Sequence, residues 1–209
     1  MIAVVDYGMG NLHSVAKALE HVAGEQPVVV TSDPAVIAKA DRVVFPGQGA
    51  APDCMRAIDA HGLREAIQSA AETKPFLGVC MGLQVLFAHS AEGDTACLGL
   101  FDGVVQRFAP DLRNAAGERL KVPHMGWNNV RPVGHHPLWA GINEGERFYF
   151  VHSYFVVPQD RSIVAGETDY PTPFTCAVAR DNRFAVQFHP EKSAAAGLRL
   201  LENFVTWQP

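Results

Sequence analysis

The stretch Pro75-Phe-Leu-Gly-Val-Cys-Met-Gly-Leu-Gln84 constrains the fold of this chain more than any other. A short apolar run ends in Gly78-x-Cys80-x-Gly82, and a helical pattern follows from Leu83 to Ala88. A turn this sharp between strand and helix forces its central residue into a strained conformation. Glycines two residues to either side let neighbouring backbone pass close. Such a turn belongs at the carboxyl end of a parallel sheet, where ligands bind in open α/β folds.

The surrounding pattern agrees. Ile2 to Asp6, Val28 to Thr31, Arg42 to Phe45 and Phe76 to Val79 are short, continuously apolar runs of the kind covered on both faces. Between them, Leu12, Val15, Ala16, Leu19, Val22 and Ala23 recur at helical spacing, with Gly24 as a stop. Ser32 or Asp33 caps a short helix that starts at Pro34, and a helical stretch runs from about Asp53 to Thr73. Strand–helix alternation with short connections predicts an α/β fold with a doubly wound, parallel sheet. The second half differs. Val104 to Phe108, Arg119 to Val122, Phe148 to Val151, Tyr154 to Val157, Ile163 to Glu167, Thr175 to Ala179 and Phe184 to Phe188 read as strands, mostly joined without helices. They predict an antiparallel or mixed part, closed by a helix over about Ser193 to Trp207. With no repeat, low-complexity tract or linker, residues 1–209 read as one domain.

Composition excludes several classes of function. At 48% hydrophobic and 19% charged, the chain is too apolar for a disordered protein. Lys and Arg number 17 against 22 Asp and Glu, a net charge of −5, so no basic excess exists to neutralise a nucleic-acid backbone. Cys54, Cys80, Cys97 and Cys176 form no C-x-x-C pair, which argues against a zinc ribbon or a thioredoxin-like site. The opening MIAVVDYGMG lacks the charged and apolar regions of a signal peptide, and no run approaches the ~18 apolar residues of a membrane span. A cytoplasmic protein with free thiols, and without metal, membrane or nucleic acid, is expected.

Cys80 has two readings. It is a buried structural thiol, the usual fate of cysteine and the reading kept for the other three. Alternatively it is a nucleophile presented by the turn, with the helix N-terminus favouring negative charge on sulfur and offering N–H donors to an oxyanion. A nucleophile needs a base, and the base an orienting group. Gln187-Phe-His189-Pro-Glu191 ends a predicted strand. If strand geometry continues, His189 and Glu191 share a face, and the carboxylate holds the imidazole in one tautomer. The alternative is a surface histidine in a turn, one of nine in the chain. The H-x-E of zinc deaminases needs a P-C-x-x-C partner that is missing. The loop Pro46-Gly47-Gln48-Gly49 follows the third strand. It is neither a P-loop nor a full G-x-G-x-x-G, which leaves a bare turn or a source of N–H donors beside a thiolate.

Taken in this order, the P-G-x-G loop, G-x-C-x-G-x-Q and the late H-P-E resemble the class I (triad) glutamine amidotransferases, from Ile2 to Trp207. Asp6-Tyr-Gly-Met-Gly-Asn-Leu-His-Ser-Val15 and Lys121-Val-Pro-His-Met-Gly-Trp-Asn128 are similar to strings of the HisH family, the glutaminase subunits of imidazole glycerol phosphate synthase. Gln48 departs from the valine of many relatives.

The resemblance implies a flavodoxin-like fold and a mechanism. Cys80 attacks the side-chain amide of glutamine and forms a γ-glutamyl thioester. His189, oriented by Glu191, manages the protons. Met81 and the loop of Gly47, Gln48 and Gly49 meet the oxyanion, while Gln84, Ser153 and Tyr154 hold the amino-acid end. It further implies no cofactor and a heterodimer with the (β/α)8-barrel cyclase subunit HisF. That subunit uses the ammonia to make imidazole glycerol phosphate and the carboxamide nucleotide AICAR in histidine synthesis. Met9, Gly10, Asn11, Met125, Trp127 and Lys192 match family positions near the cyclase. Trp127 read alone is equally a core aromatic. Lys192, next to Glu191, is placed to pair with it and link docking to the triad. The isolated chain is expected to be nearly silent. A partner-independent cysteine hydrolase, an inactive scaffold, and a sister amidotransferase serving vitamin B6 or anthranilate synthesis are the competing readings.

Overall fold

The computed structural model describes residues 1–209. The elements run β1 (Ile2–Val5), α1 (Leu12–Val22), β2 (Val28–Thr31), α2 (Pro34–Lys39), β3 (Arg42–Gly47), α3 (Ala51–Ala60), α4 (Arg64–Thr73), β4 (Phe76–Cys80) and α5 (Met81–Gln84). They continue with β5 (Phe87–Ser90), β6 (Thr95–Ala96), β7 (Phe101–Arg107), β8 (His124–Asn129), β9 (Arg131–Pro132), β10 (Arg147–His152) and β11 (Tyr154–Pro158). The chain ends with β12 (Val164–Asp169), β13 (Pro173–Arg180), β14 (Arg183–Val186) and α6 (Ala194–Thr206). No helix is long and apolar enough to cross a membrane.

One large sheet organises the molecule, with strand order β2-β1-β3-β4-β14-β13-β11-β7-β5-β6. The first five strands pair in parallel, and from β14 to β13 the pairing turns antiparallel. Alternation along β1 shows why both faces need cover. Ile2 and Val4 enter one core with Val15 and Leu19 of α1 and Leu200, Leu201 and Phe204 of α6. Ala3 and Val5 enter the other, with Ile37 of α2, Ile58 of α3 and Ile67 of α4. Each large side chain so buried contributes roughly 1.5–3 kcal/mol. Local capping supports the pattern. Asn11 accepts from Ser14 N at the start of α1, and Asp33, rather than Ser32, accepts from Ala35 N at 2.8 Å. Strands β8 and β10 form a separate two-stranded sheet.

Several expected elements differ. The helical stretch of residues 53–73 is two helices, α3 and α4, broken at Gly62, whose φ of +65° ends the first. The helix expected over Leu83 to Ala88 is one turn, α5, followed by strand β5, because Phe87 pairs with Phe101 in the sheet. Residues 119–122 form no strand; only an isolated bridge joins Arg113 and Arg119. Strand β8 is hidden in the sequence by Gly126 and two asparagines, which are poor strand formers.

The elbow is locked by backbone contact. A Cβ on Gly82 would stand 1.8 Å from the Phe45 carbonyl oxygen, and one on Gly78 would stand 2.8 Å from that of Gly82. Gly82→Ala is therefore expected to cost about 3 kcal/mol or prevent folding. Gly24→Ala, at a positive φ but with open space around it, should cost about 1 kcal/mol. Urea denaturation of the two variants checks this contrast, and equal losses would contradict it.

Candidate active site

Strands β3, β4 and β14 end side by side, and the chemistry gathers at their carboxyl ends. Gly47 is in register with Cys80, and Val186 with Val79. Cys80 has φ 57° and ψ −110°, a conformation that costs a non-glycine residue ~1–3 kcal/mol. It lines a cavity of about 610 Å³, shared with Met9, Gly10, Gln48, Gly49, Met81, Gln84, Ser153, Tyr154, His189 and Lys192. Most of the residues expected on sequence grounds therefore meet in one place.

His189 and Glu191 meet, but not as neighbours on a strand. β14 ends at Val186, His189 is extended, and Pro190–Lys192 form a 3-10 turn. The turn folds the carboxylate back, so that His189 Nδ1 lies 2.8 Å from Glu191 Oε1 with both side chains buried. The other ring nitrogen, Nε2, is buried without a hydrogen-bond partner on the side of the cavity. Burial opposes charge on this imidazole, but the nearby Cys80 sulfur and the Glu191 carboxylate outweigh it and lift the pKa to about 10. A one-turn helix such as α5 carries little macrodipole, so the positive charge facing the sulfur is that of His189.

Four further side chains close the site. Gln84 is buried and donates from Nε2 to the Tyr154 carbonyl at 3.1 Å and to Gln187 Oε1 at 3.0 Å, while its own Oε1 has no partner. Gln187 in turn lies 3.8 Å from the Cys80 sulfur through its Nε2. Glu92, unanticipated, lines the cavity and accepts from Ala51 N at 2.8 Å, capping α3, which has no cap of its own. His152 was also missed. Its Nδ1 bonds the Tyr154 carbonyl at 2.7 Å and its Nε2 faces His124 Nδ1 at 2.9 Å. Burial drives both rings to the neutral form, His124 to about 4 and His152 to about 3.

The loop residues divide. Gln48 and Gly49 line the cavity, but Gly47 sits beneath it, where a Cβ would collide with the Tyr7 hydroxyl at 2.2 Å. The Gln48 carbonyl accepts from the Cys54 thiol at 3.4 Å. Burial raises Cys54 and Cys97 to about 11, and Cys176 further still, in keeping with structural thiols.

The positions expected near a partner also divide. Met9, Gly10 and Lys192 are at the cavity, and Asn11 is spent on capping α1. Met125 and Trp127 are 65% and 45% exposed on β8, so Trp127 is not a core aromatic. Lys192 makes no ion pair with Glu191, whose carboxylate faces His189; its ammonium lies 6.0 Å over the ring of Tyr149. Tyr149 pairs across the small sheet with Trp127, so the lysine joins the rim of the cavity to that exposed face.

The Glutamine amidotransferase class-I family model matches residues 3–207. Over its whole length the chain is 69% identical to the imidazole glycerol phosphate synthase subunit HisH of Thiobacillus denitrificans, of which the match covers 92%. It is 66% identical to the subunit of the same name from Dechloromonas aromatica, covering all of this chain and 97% of that one. A solved glutamine amidotransferase structure superposes with a TM-score of 0.72 at 15% identity, covering 98% of this chain and 97% of the other; that likeness speaks for the fold.

These histidines give stability two opposed pH limbs. His189, raised from 6.5 to about 10, contributes fully below pH 6.5, and the contribution is lost as pH rises through 10. His124 and His152, lowered to about 4 and 3, cost stability as pH falls below 6.5 towards those values. Glu191→Gln should reduce the alkaline loss and leave the acid limb intact. Urea midpoints measured from low to high pH decide this, and an unchanged alkaline limb would refute it.

Proposed function

Because the chain belongs to the class I glutamine amidotransferases, and within them to the HisH subunits of imidazole glycerol phosphate synthase, we propose that it hydrolyses glutamine at Cys80 and delivers the ammonia to a cyclase subunit. The carrying observation is that Cys80 opens into the same cavity as an imidazole whose far nitrogen is held by a buried carboxylate.

The reaction would use these groups in turn. The sulfur adds to the carboxamide carbon of glutamine, and the carbonyl oxygen takes the negative charge. Backbone N–H groups of Met81 and of the Gln48–Gly49 segment, which line the cavity, would meet that oxygen. His189 carries its proton at neutral pH because Cys80 and Glu191 favour the cation over burial. It passes that proton to the departing nitrogen, the C–N bond breaks, and ammonia leaves with a thioester behind. Water then adds to the thioester carbon, giving its proton to the now neutral imidazole, and glutamate is released as sulfur departs. Gln84 and the Ser153–Tyr154 segment, which line the cavity, would hold the ammonium and carboxylate of the substrate.

Ammonia is small and is lost if it reaches bulk water, so the product must be handed over inside a complex. The partner is HisF, which builds imidazole glycerol phosphate and AICAR in histidine synthesis. A heterodimer in the cytoplasm, docked through the rim of Met9, Gly10 and Lys192 and the exposed Met125 and Trp127, fits this role. Residues 1–209 would then act as one amidotransferase domain. An exposed aromatic beside a thioether is the kind of anchor that carries docking energy.

Cys80→Ala should abolish glutamine-dependent turnover of the reconstituted synthase while leaving turnover with added ammonium salts intact. Loss of both, or of neither, would overturn the assignment. Lys192→Ala should lower the stimulation of glutaminase by the cyclase while changing stability by less than about 0.5 kcal/mol. Ammonia release with and without HisF measures the first effect, and urea unfolding the second.

A further inference from the structure

Gln187 is fully buried two residues before His189, and a buried amide is costly unless its groups are paired. Its orientation follows from its neighbours. The Tyr154 carbonyl is an acceptor only, so the Gln84 atom 3.1 Å away must be the donor Nε2. That same nitrogen faces Gln187 at 3.0 Å, and the atom it meets must therefore be the acceptor, Oε1. The Gln187 atom 3.8 Å from the Cys80 sulfur is then Nε2, a donor. The anchoring carbonyl is held from its other side by His152 Nδ1, whose neutral ring is fixed by His124. Every amide in the row is thus set by a group that cannot reverse its role.

We infer that Gln187 is a further catalytic residue, donating an N–H to the Cys80 sulfur whenever that sulfur carries negative charge. It would do so before attack on glutamine, and again when sulfur leaves the thioester. The inference rests on the glutaminase reading above and deepens it. His189 supplies the proton and the compensating charge, while Gln187 supplies a neutral, fixed dipole that moves no proton. A donor to a charged acceptor is worth more than one to a neutral acceptor, so it favours the thiolate over both thiol and thioester.

The test compares Gln187→Met, which fills similar volume without a donor, with Gln187→Glu, which turns a carboxylate towards the sulfur. Alkylation of Cys80 by iodoacetamide at pH 7 should slow about tenfold in Gln187→Met and more in Gln187→Glu, with the deficit closing as pH rises. In complex with the cyclase, kcat for glutamine should fall with KM little changed, while co-elution with the cyclase and a wild-type urea midpoint report an intact fold. Alkylation rates within twofold of wild type, or an equal loss in both variants at every pH, would overturn the inference. Should the variants not fold, the wild-type protein decides. Carboxamidomethylation of Cys80 removes the charge and should move the side-chain amide proton resonance of Gln187 upfield, and an unmoved resonance would sink the idea. If the wild-type complex releases no ammonia from glutamine yet alkylation depends on Gln187, the glutaminase reading fails and this one survives. If ammonia release depends on Cys80 but not on Gln187, only this inference is lost.

Discussion

Everything in the site depends on how closely the turn after β4 packs against β3. Gly82 lies with its Cα against the Phe45 carbonyl, leaving no room for a side chain. That contact holds Cys80 at a positive φ, at a cost that only a well-packed surround can bear. The surround is a parallel sheet buried on both faces, with aromatic side chains Tyr7, Phe45 and Phe76 in contact directly beneath it. Strain at one residue is thus sustained by two hydrophobic cores that have no chemistry of their own.

Charge is handled with similar economy. A buried ion pair is a weak source of stability, because desolvation takes back most of the attraction. His189 and Glu191 are better understood as a pair kept for what the imidazole must do. The carboxylate fixes which nitrogen is free and makes the cation tolerable in a closed cavity. The neighbouring histidines show the opposite outcome of burial. His124 and His152 have each other, Asn128 and a carbonyl, but no anion, so both stay neutral. Three histidines within one region therefore differ in protonation by what faces them, and only one of them is equipped to carry a proton to a substrate.

The architecture and the reactive groups were legible in the sequence to different depths. The strand–helix alternation of the first half and the elbow at Cys80 follow from local rules, namely apolar runs, caps and glycines. The sequence pairs His189 with Glu191 through a strand face, whereas a 3-10 turn brings the two side chains together. That error is physical: proline at the first position of a turn starts a tight helix as readily as it stiffens an extended chain. The reach of α5 is not legible because Leu83 to Ala88 is apolar apart from Gln84, and periodicity cannot separate a buried helix from a buried strand. Glu92, His152 and Gln187 lie beyond local reading. Their roles come from contacts across 41, 28 and 107 positions of chain, which only the folded sheet creates. Gln187 left one faint trace, sharing the i, i+2 alternation of His189 at the end of β14.

The segment from Gln48 to Ala50 has fixed moorings on both sides. Gly47 is tied into the sheet opposite Cys80, and Ala51 N is tied to Glu92. A span so short and so anchored has torsional freedom but no reach. Its peptide planes can crank in place, helped by Gly49 at φ +96°, while β3 and α3 stay where they are. Two arrangements of its backbone N–H groups would then share one outline of the molecule and differ only in the direction of an N–H vector or two.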